Sequence, residues 1–267
     1  MKLVTFGDSW IHGDELTPDT PEYRNSVNIG GLIYKDFNFT EYINYANNGA
    51  SNERIILQLM EYKNSKNYSK DDLIVVGLSS LARNLLYINL KNSPLTLPSW
   101  DIMHLNSNDD AFKEKDKDYL DWFEKTGFYI TNTRNELVRY ALNIFSIKSL
   151  LSDNKKYLVW QSLDDLDFLY KTVEIKNWNE ITLHWDEKNI NHSTISKIFF
   201  DKEYIKKELY SNIEKTQMWI NFTEPSWQKY LKSTPDIKTY INKTHPNELG
   251  HFLWYDKIIK KYIKTIL

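Results

Sequence analysis

The chain has 267 residues, 41% of them hydrophobic, with a formal net charge of −2 and a pI near 6.3. That is enough for one substantial core, and the charge offers no general attraction to nucleic acid or an anionic membrane. Cysteine is absent, which excludes disulfides, thiol nucleophiles and thiolate metal sites. The first apolar run, residues 2–6, predicts a buried strand. It leaves no room for a charged-then-apolar leader, and no apolar run approaches the ~18 residues of a membrane span. The expectation is a soluble, cytoplasmic protein with no membrane partner, unless it leaves by another route or travels with a virion.

Residues 27–36 predict a short helix, weakened by Gly30 and Gly31. A second strand is expected over 40–46, followed by a helix over 52–63 whose Ile55, Ile56, Leu59 and Met60 recur at helical spacing. Leu73-Ile74-Val75-Val76-Gly77 predicts a third strand. Strand–helix alternation of this kind implies parallel crossovers, hence an α/β fold with a doubly wound sheet. A long helix is expected over 134–151, with Thr133 and Glu136 as its capping box and a stripe of Leu137, Val138, Ala141, Ile144, Phe145 and Leu151. Residues 157–160 predict a fourth strand. A last helix over 247–265 would pack Leu249, Phe252, Leu253, Ile259, Ile263 and Ile266 on one side. Residues 84–130 and 162–240 are polar, aromatic and weakly patterned, and are expected to be insertions on a single domain spanning 1–267. Seven of the nine tryptophans lie between 100 and 227, a supply that suits either sugar stacking or core packing.

The residues able to do chemistry follow the predicted strands. Gly7-Asp8-Ser9-Trp10 follows the first, Asn47-Asn48-Gly49-Ala50-Ser51 the second, and Gly77-Leu78-Ser79-Ser80-Leu81-Ala82-Arg83 the third. In an open α/β sheet the carboxyl ends of the strands are where ligands gather. A serine hydroxyl needs a base to act as a nucleophile, and His245-Pro246-Asn247-Glu248-Leu249-Gly250-His251 supplies imidazoles near the other end of the chain. Each residue also has a plainer reading. Ser9 and Gly49 could be turn residues, Ser79 and Ser80 caps, and Arg83 half of a surface ion pair. Asp8 is expected to bond the amides of its turn, and His251 to pack inside the last helix. His12, His104, His184 and His192 share no ligand spacing.

Together these segments resemble the SGNH (GDSL-type) hydrolases, which act on acyl esters through a serine on a flavodoxin-like α/β fold. Gly7-Asp8-Ser9 matches the nucleophile block, Gly49 the oxyanion glycine, and His245 with Pro246, Gly250 and His251 the histidine block. The resemblance lies at the two ends of the chain and not in its middle. It implies catalysis by Ser9 and His245, and an oxyanion hole from Ser9, Gly49 and the third block. Two positions depart from the family. Ser79 stands where the third block has Asn, and Asn242 stands where the histidine block has Asp three residues earlier. Asn242 is thereby expected to orient His245, and Ser80 and Arg83 to contact substrate. Gly13-Asp14-Glu15-Leu16 belongs to the same divergent pattern. The function so implied is a serine esterase or O-acyltransferase with no cofactor and no metal, acting on a small-molecule or carbohydrate acyl ester. The rival expectation is a non-catalytic binding or virion-associated protein that keeps the fold. Oligomeric state and substrate stay open.

Overall fold

The computed structural model describes residues 1–80, 83–87, 100–104, 133–163 and 225–267; within these, no side chain is described for 83–87, 100–104, 133–138 and 141. Four parallel strands form the central sheet: β1 (Leu3–Phe6), β2 (Tyr42–Asn44), β3 (Leu73–Leu78) and, after a separate antiparallel pair, β6 (Lys156–Gln161), in the order β2-β1-β3-β6. The antiparallel pair is β4 (Arg83–Tyr87) with β5 (Trp100–His104). The sheet order is the doubly wound one, with reversal between β1 and β3.

Near-continuous apolar runs become strands buried on both faces. Alternate side chains feed two cores. Val4, Phe6, Ile74, Val76, Tyr157 and Val159 meet Ile55, Leu59 and Tyr62 of α4 (Asn52–Lys63), and Ile144 and Ile147 of α5 (Thr133–Leu151). Leu3, Leu73, Val75, Leu158 and Trp160 face the other layer. That layer comprises α1 (Ser9–His12), α2 (Pro21–Val27), α3 (Ile29–Asp36), α6 (Trp227–Lys232), α7 (Glu248–Trp254) and α8 (Lys260–Ile266). The architecture is the three-layer α/β sandwich expected from the strand–helix alternation. Truncating a fully buried strand residue such as Ile74 to alanine would cost about 2–5 kcal/mol. No described helix is long and apolar enough to cross a membrane.

Local chemistry sets the helix starts. Ser51 caps α4 through Arg54 N–H at 3.3 Å, and Thr20 precedes Pro21 at the first position of α2. Asn28 ends α2 and caps α3 through Gly31 N–H at 2.9 Å, so the helix expected from residue 27 begins at Ile29 instead. Gly30 is a packing residue rather than a weakness: a Cβ there would lie 2.2 Å from the Tyr42 hydroxyl.

Three expectations need correction. Residues 225–240, assigned to an insertion, hold Trp227 and Leu231 fully buried in the core. Phe145 is 37% exposed rather than part of the α5 stripe, while Ile144 and Leu151 are buried as expected. Leu249 and Phe252 are more than half exposed; α7 buries Gly250, His251 and Trp254 instead. A π-helical turn, Tyr255–Ile259, joins α7 to α8. Its extra residue shifts the helical phase, so one stripe cannot run through both halves. The side chains of the Thr133–Glu136 capping box, of Leu137, Val138 and Ala141, and most of both expected insertions lie outside the described residues.

Candidate active site

Ser9 is placed by a turn that requires its neighbours. A Cβ on Gly7 would meet Ile11 Cγ1 at 2.3 Å and Gly77 O at 3.1 Å, so the turn closes only on glycine. Asp8 caps α1 by accepting from Trp10 N–H at 3.1 Å, the structural role expected of it. Ser9 is then the first helical residue. It is fully buried, and among the described residues its Oγ has no hydrogen-bond partner and its N–H no acceptor. The helix lasts one turn because Gly13, at φ 89°, ends it, with Gly13 and Asp14 N–H both donating to Ser9 O at 3.0 and 3.1 Å.

The β2–α4 loop reaches the same turn, Asn47 N–H donating to Gly7 O at 3.1 Å. Gly49 in this loop has φ 67°, open space where a Cβ would stand, and an N–H with no acceptor among the described residues. The end of β3 is held differently. Ser79 is buried, its N–H donates to Asn52 Oδ1 at 2.8 Å, and its carbonyl accepts from Asn52 Nδ2 and Gln161 Nε2 at 3.2 and 2.9 Å. Its backbone N–H is therefore engaged and offers no donor to a ligand. Ser80 is half-buried, and the Arg83 side chain lies outside the described residues.

His245 sits on a loop closed by the Ile241–Pro246 bridge and by Asn242 N–H donating to His245 O at 2.9 Å. Its Nδ1 lies 3.0 Å from Glu15 Oε1 and 2.9 Å from Thr244 Oγ1. Glu15 also accepts from Thr244 N–H at 3.1 Å, Thr244 Oγ1 at 2.9 Å and His245 N–H at 3.4 Å. Burial pushes the Glu15 carboxyl up, but these bonds, led by the one from the His245 ring, outweigh it and hold it at about 2. Asn242 does not take the orienting role expected of it. Its Nδ2 donates to the Glu15 carbonyl at 2.8 Å, which steadies Glu15 in the left-handed region at φ 64°. Sequence reasoning singled out Gly13-Asp14-Glu15-Leu16 but gave Glu15 no role; a carboxylate just after a turn glycine was the available signal.

The remaining histidines divide. His251 is fully buried against Trp227, ring centroids 4.9 Å apart, with neither nitrogen hydrogen-bonded among the described residues, and burial, with the His245 charge, lowers its pKa to about 3. It packs, as expected from its place in a helix. His12 Nδ1 pairs with Asp14 Oδ1 at 2.5 Å on the Ser9 segment. The His104 side chain, His184 and His192 lie outside the described residues.

Several solved structures are similar to this chain. A member of the lipolytic protein G-D-S-L family from Veillonella parvula DSM 2008 has 12% identity over 98% of both chains and a TM-score of 0.44. TesA has 9% identity over the whole of both chains and a TM-score of 0.47. The lipase Lip_vut3 from a goat rumen metagenome has 11% identity over all of this chain and 97% of its own, with a TM-score of 0.40. No protein-family model matches the sequence, and no curated protein matches it.

Proposed function

We propose that the protein is a serine-dependent acyl-ester hydrolase or O-acyltransferase working through an acyl-enzyme. Ser9 Oγ attacks the ester carbonyl while His245 Nε2 takes its proton. Collapse of the tetrahedral intermediate returns that proton to the departing alcohol and leaves the acyl group on Ser9. Water or a sugar hydroxyl, deprotonated by the same ring, then releases the acyl group as acid or as a new ester. The observation that carries this reading is Ser9 itself: a buried hydroxyl and an unused N–H at the carboxyl end of β1, beside the point where strand order reverses. The N–H groups of Ser9 and Gly49 suit the developing oxyanion, each such donor being worth roughly 2.7–4 kcal/mol. The Ser79 hydroxyl is the third donor in this reading, and Ser80 and Arg83 contact the substrate.

Complete burial of Ser9 favours a second reading, a non-catalytic binding protein on the same fold. A fluorophosphonate probe separates the two, because only an activated serine reacts. Labelling of the wild type and loss of both labelling and aryl-ester hydrolysis in Ser9→Ala support the enzyme. An unlabelled, inactive wild type supports the binding protein. Product analysis with and without a sugar acceptor separates hydrolysis from transfer.

A further inference from the structure

We infer that Glu15 is the carboxylate that positions His245, so the acid of the site is carried by the same short segment as the nucleophile. This rests on the reading of Ser9 and His245 as nucleophile and base. The family resemblance points to position 242 for this role, and that position holds an amide directed elsewhere. The physical case begins with the ring. A carboxylate oxygen at 3.0 Å from Nδ1 selects the tautomer protonated there and leaves Nε2 as the basic nitrogen. A negative charge at that distance also stabilises the imidazolium formed during attack.

The backbone argues the same way. A non-glycine residue in the left-handed region is uncommon and persists only where surrounding contacts hold it. Glu15 is held at φ 64° by Asn242 on its carbonyl, while its carboxylate gathers the Thr244 N–H and hydroxyl and the His245 N–H. Three donors from Thr244 and His245 thus fix the carboxylate beside the imidazole, and Asn242 holds the backbone that carries it. Glu15 lies six residues after Ser9, and the N–H of its neighbour Asp14 donates to Ser9 O. Any shift of the Ser9 turn therefore moves the carboxylate too, and with it the ring.

The test combines a spectrum with kinetics. In the wild type, an Nδ1 proton shared with a carboxylate gives a downfield proton resonance, and Glu15→Gln is expected to remove it. The same variant should lower kcat by about 10²–10⁴-fold with KM little changed, as when a carboxylate behind a catalytic imidazole becomes an amide. It should also move the acid limb of the pH–rate profile to lower pH. Glu15→Asp keeps the charge and should recover part of the rate, which answers the case of a Gln variant that folds poorly. A purely structural Glu15 would lower the melting temperature and leave the resonance and the acid limb in place; that result overturns the inference. If the wild type neither hydrolyses esters nor reacts with fluorophosphonate, the hydrolase reading fails separately. The resonance then still decides whether Glu15 holds the ring.

Discussion

Asn52 and Ser79 face each other across the carboxyl ends of the sheet as a reciprocal pair: the amide oxygen of one accepts from the N–H of the other at 2.8 Å, and its amide nitrogen donates to the carbonyl at 3.2 Å. A single side chain from the first turn of α4 thereby satisfies both backbone groups where β3 ends. Asn52→Ala would strand a buried N–H, at a cost of about 1–3 kcal/mol. Urea denaturation should show that loss, and ester turnover should fall as the Ser79 hydroxyl loses its fixed position. An unchanged midpoint would mean that the strand end is held without Asn52.

Asn242→Asp should not raise ester turnover. Its amide donates to the Glu15 carbonyl, and a carboxylate there loses that bond and faces both a carbonyl oxygen and the Glu15 charge. The expected outcome is a stability loss of about 1 kcal/mol and no gain in rate at any pH. Faster ester turnover would show that position 242 acts on the His245 ring directly.

Acid should destabilise the fold in two windows. Burial lowers the His251 pKa from the ordinary 6.5 to about 3, so the unfolded chain binds its proton first as pH falls. The stability held above pH 6.5 is lost progressively from there down to about 3. Glu15, depressed from 4.5 to about 2, adds stability above pH 4.5 that is lost between 4.5 and 2. His251→Leu removes two unpartnered ring nitrogens at similar volume. It should flatten the melting temperature between pH 6.5 and 4.5, whereas His251→Ala should lower it at every pH by opening a cavity. A wild-type melting temperature that does not move over that range would contradict a buried neutral imidazole.

Gly49→Ala isolates the backbone. No atom lies within 4 Å of the added Cβ, so the cost is that of holding φ 67° with an L side chain, about 1–2 kcal/mol. Relaxation of that strain would turn the N–H away from the oxyanion. Turnover should therefore fall well beyond the change in KM. Full activity with normal stability would remove Gly49 from the proposed oxyanion hole.

Local periodicity and turn chemistry decided much of this protein. The short, largely apolar runs at 3–6 and 73–78 point to strands covered on both faces, and Ile55, Leu59 and Tyr62 recur at a spacing that a helix places on one side. Ser9 and Gly49 could be assigned to strand ends because each follows an apolar run within a few residues. Tertiary structure alone decided the rest. Glu15 and His245 are 230 residues apart, and nothing in either segment's own pattern shows that one carboxylate will gather donors from Thr244 and His245. Asn242 stands where the resemblance to the SGNH hydrolases implies an acid, yet the Glu15 carbonyl beside it claims its amide. The π turn at 255–259 follows from packing as well: α7 turns Trp254 toward Trp227 and Tyr230, while α8 must still bury Ile263, and one extra residue reconciles the two faces. Hydrophobic pattern reports the period of an element. Which distant polar group answers each donor depends on where the chain's ends meet, and that is settled only when the layers close.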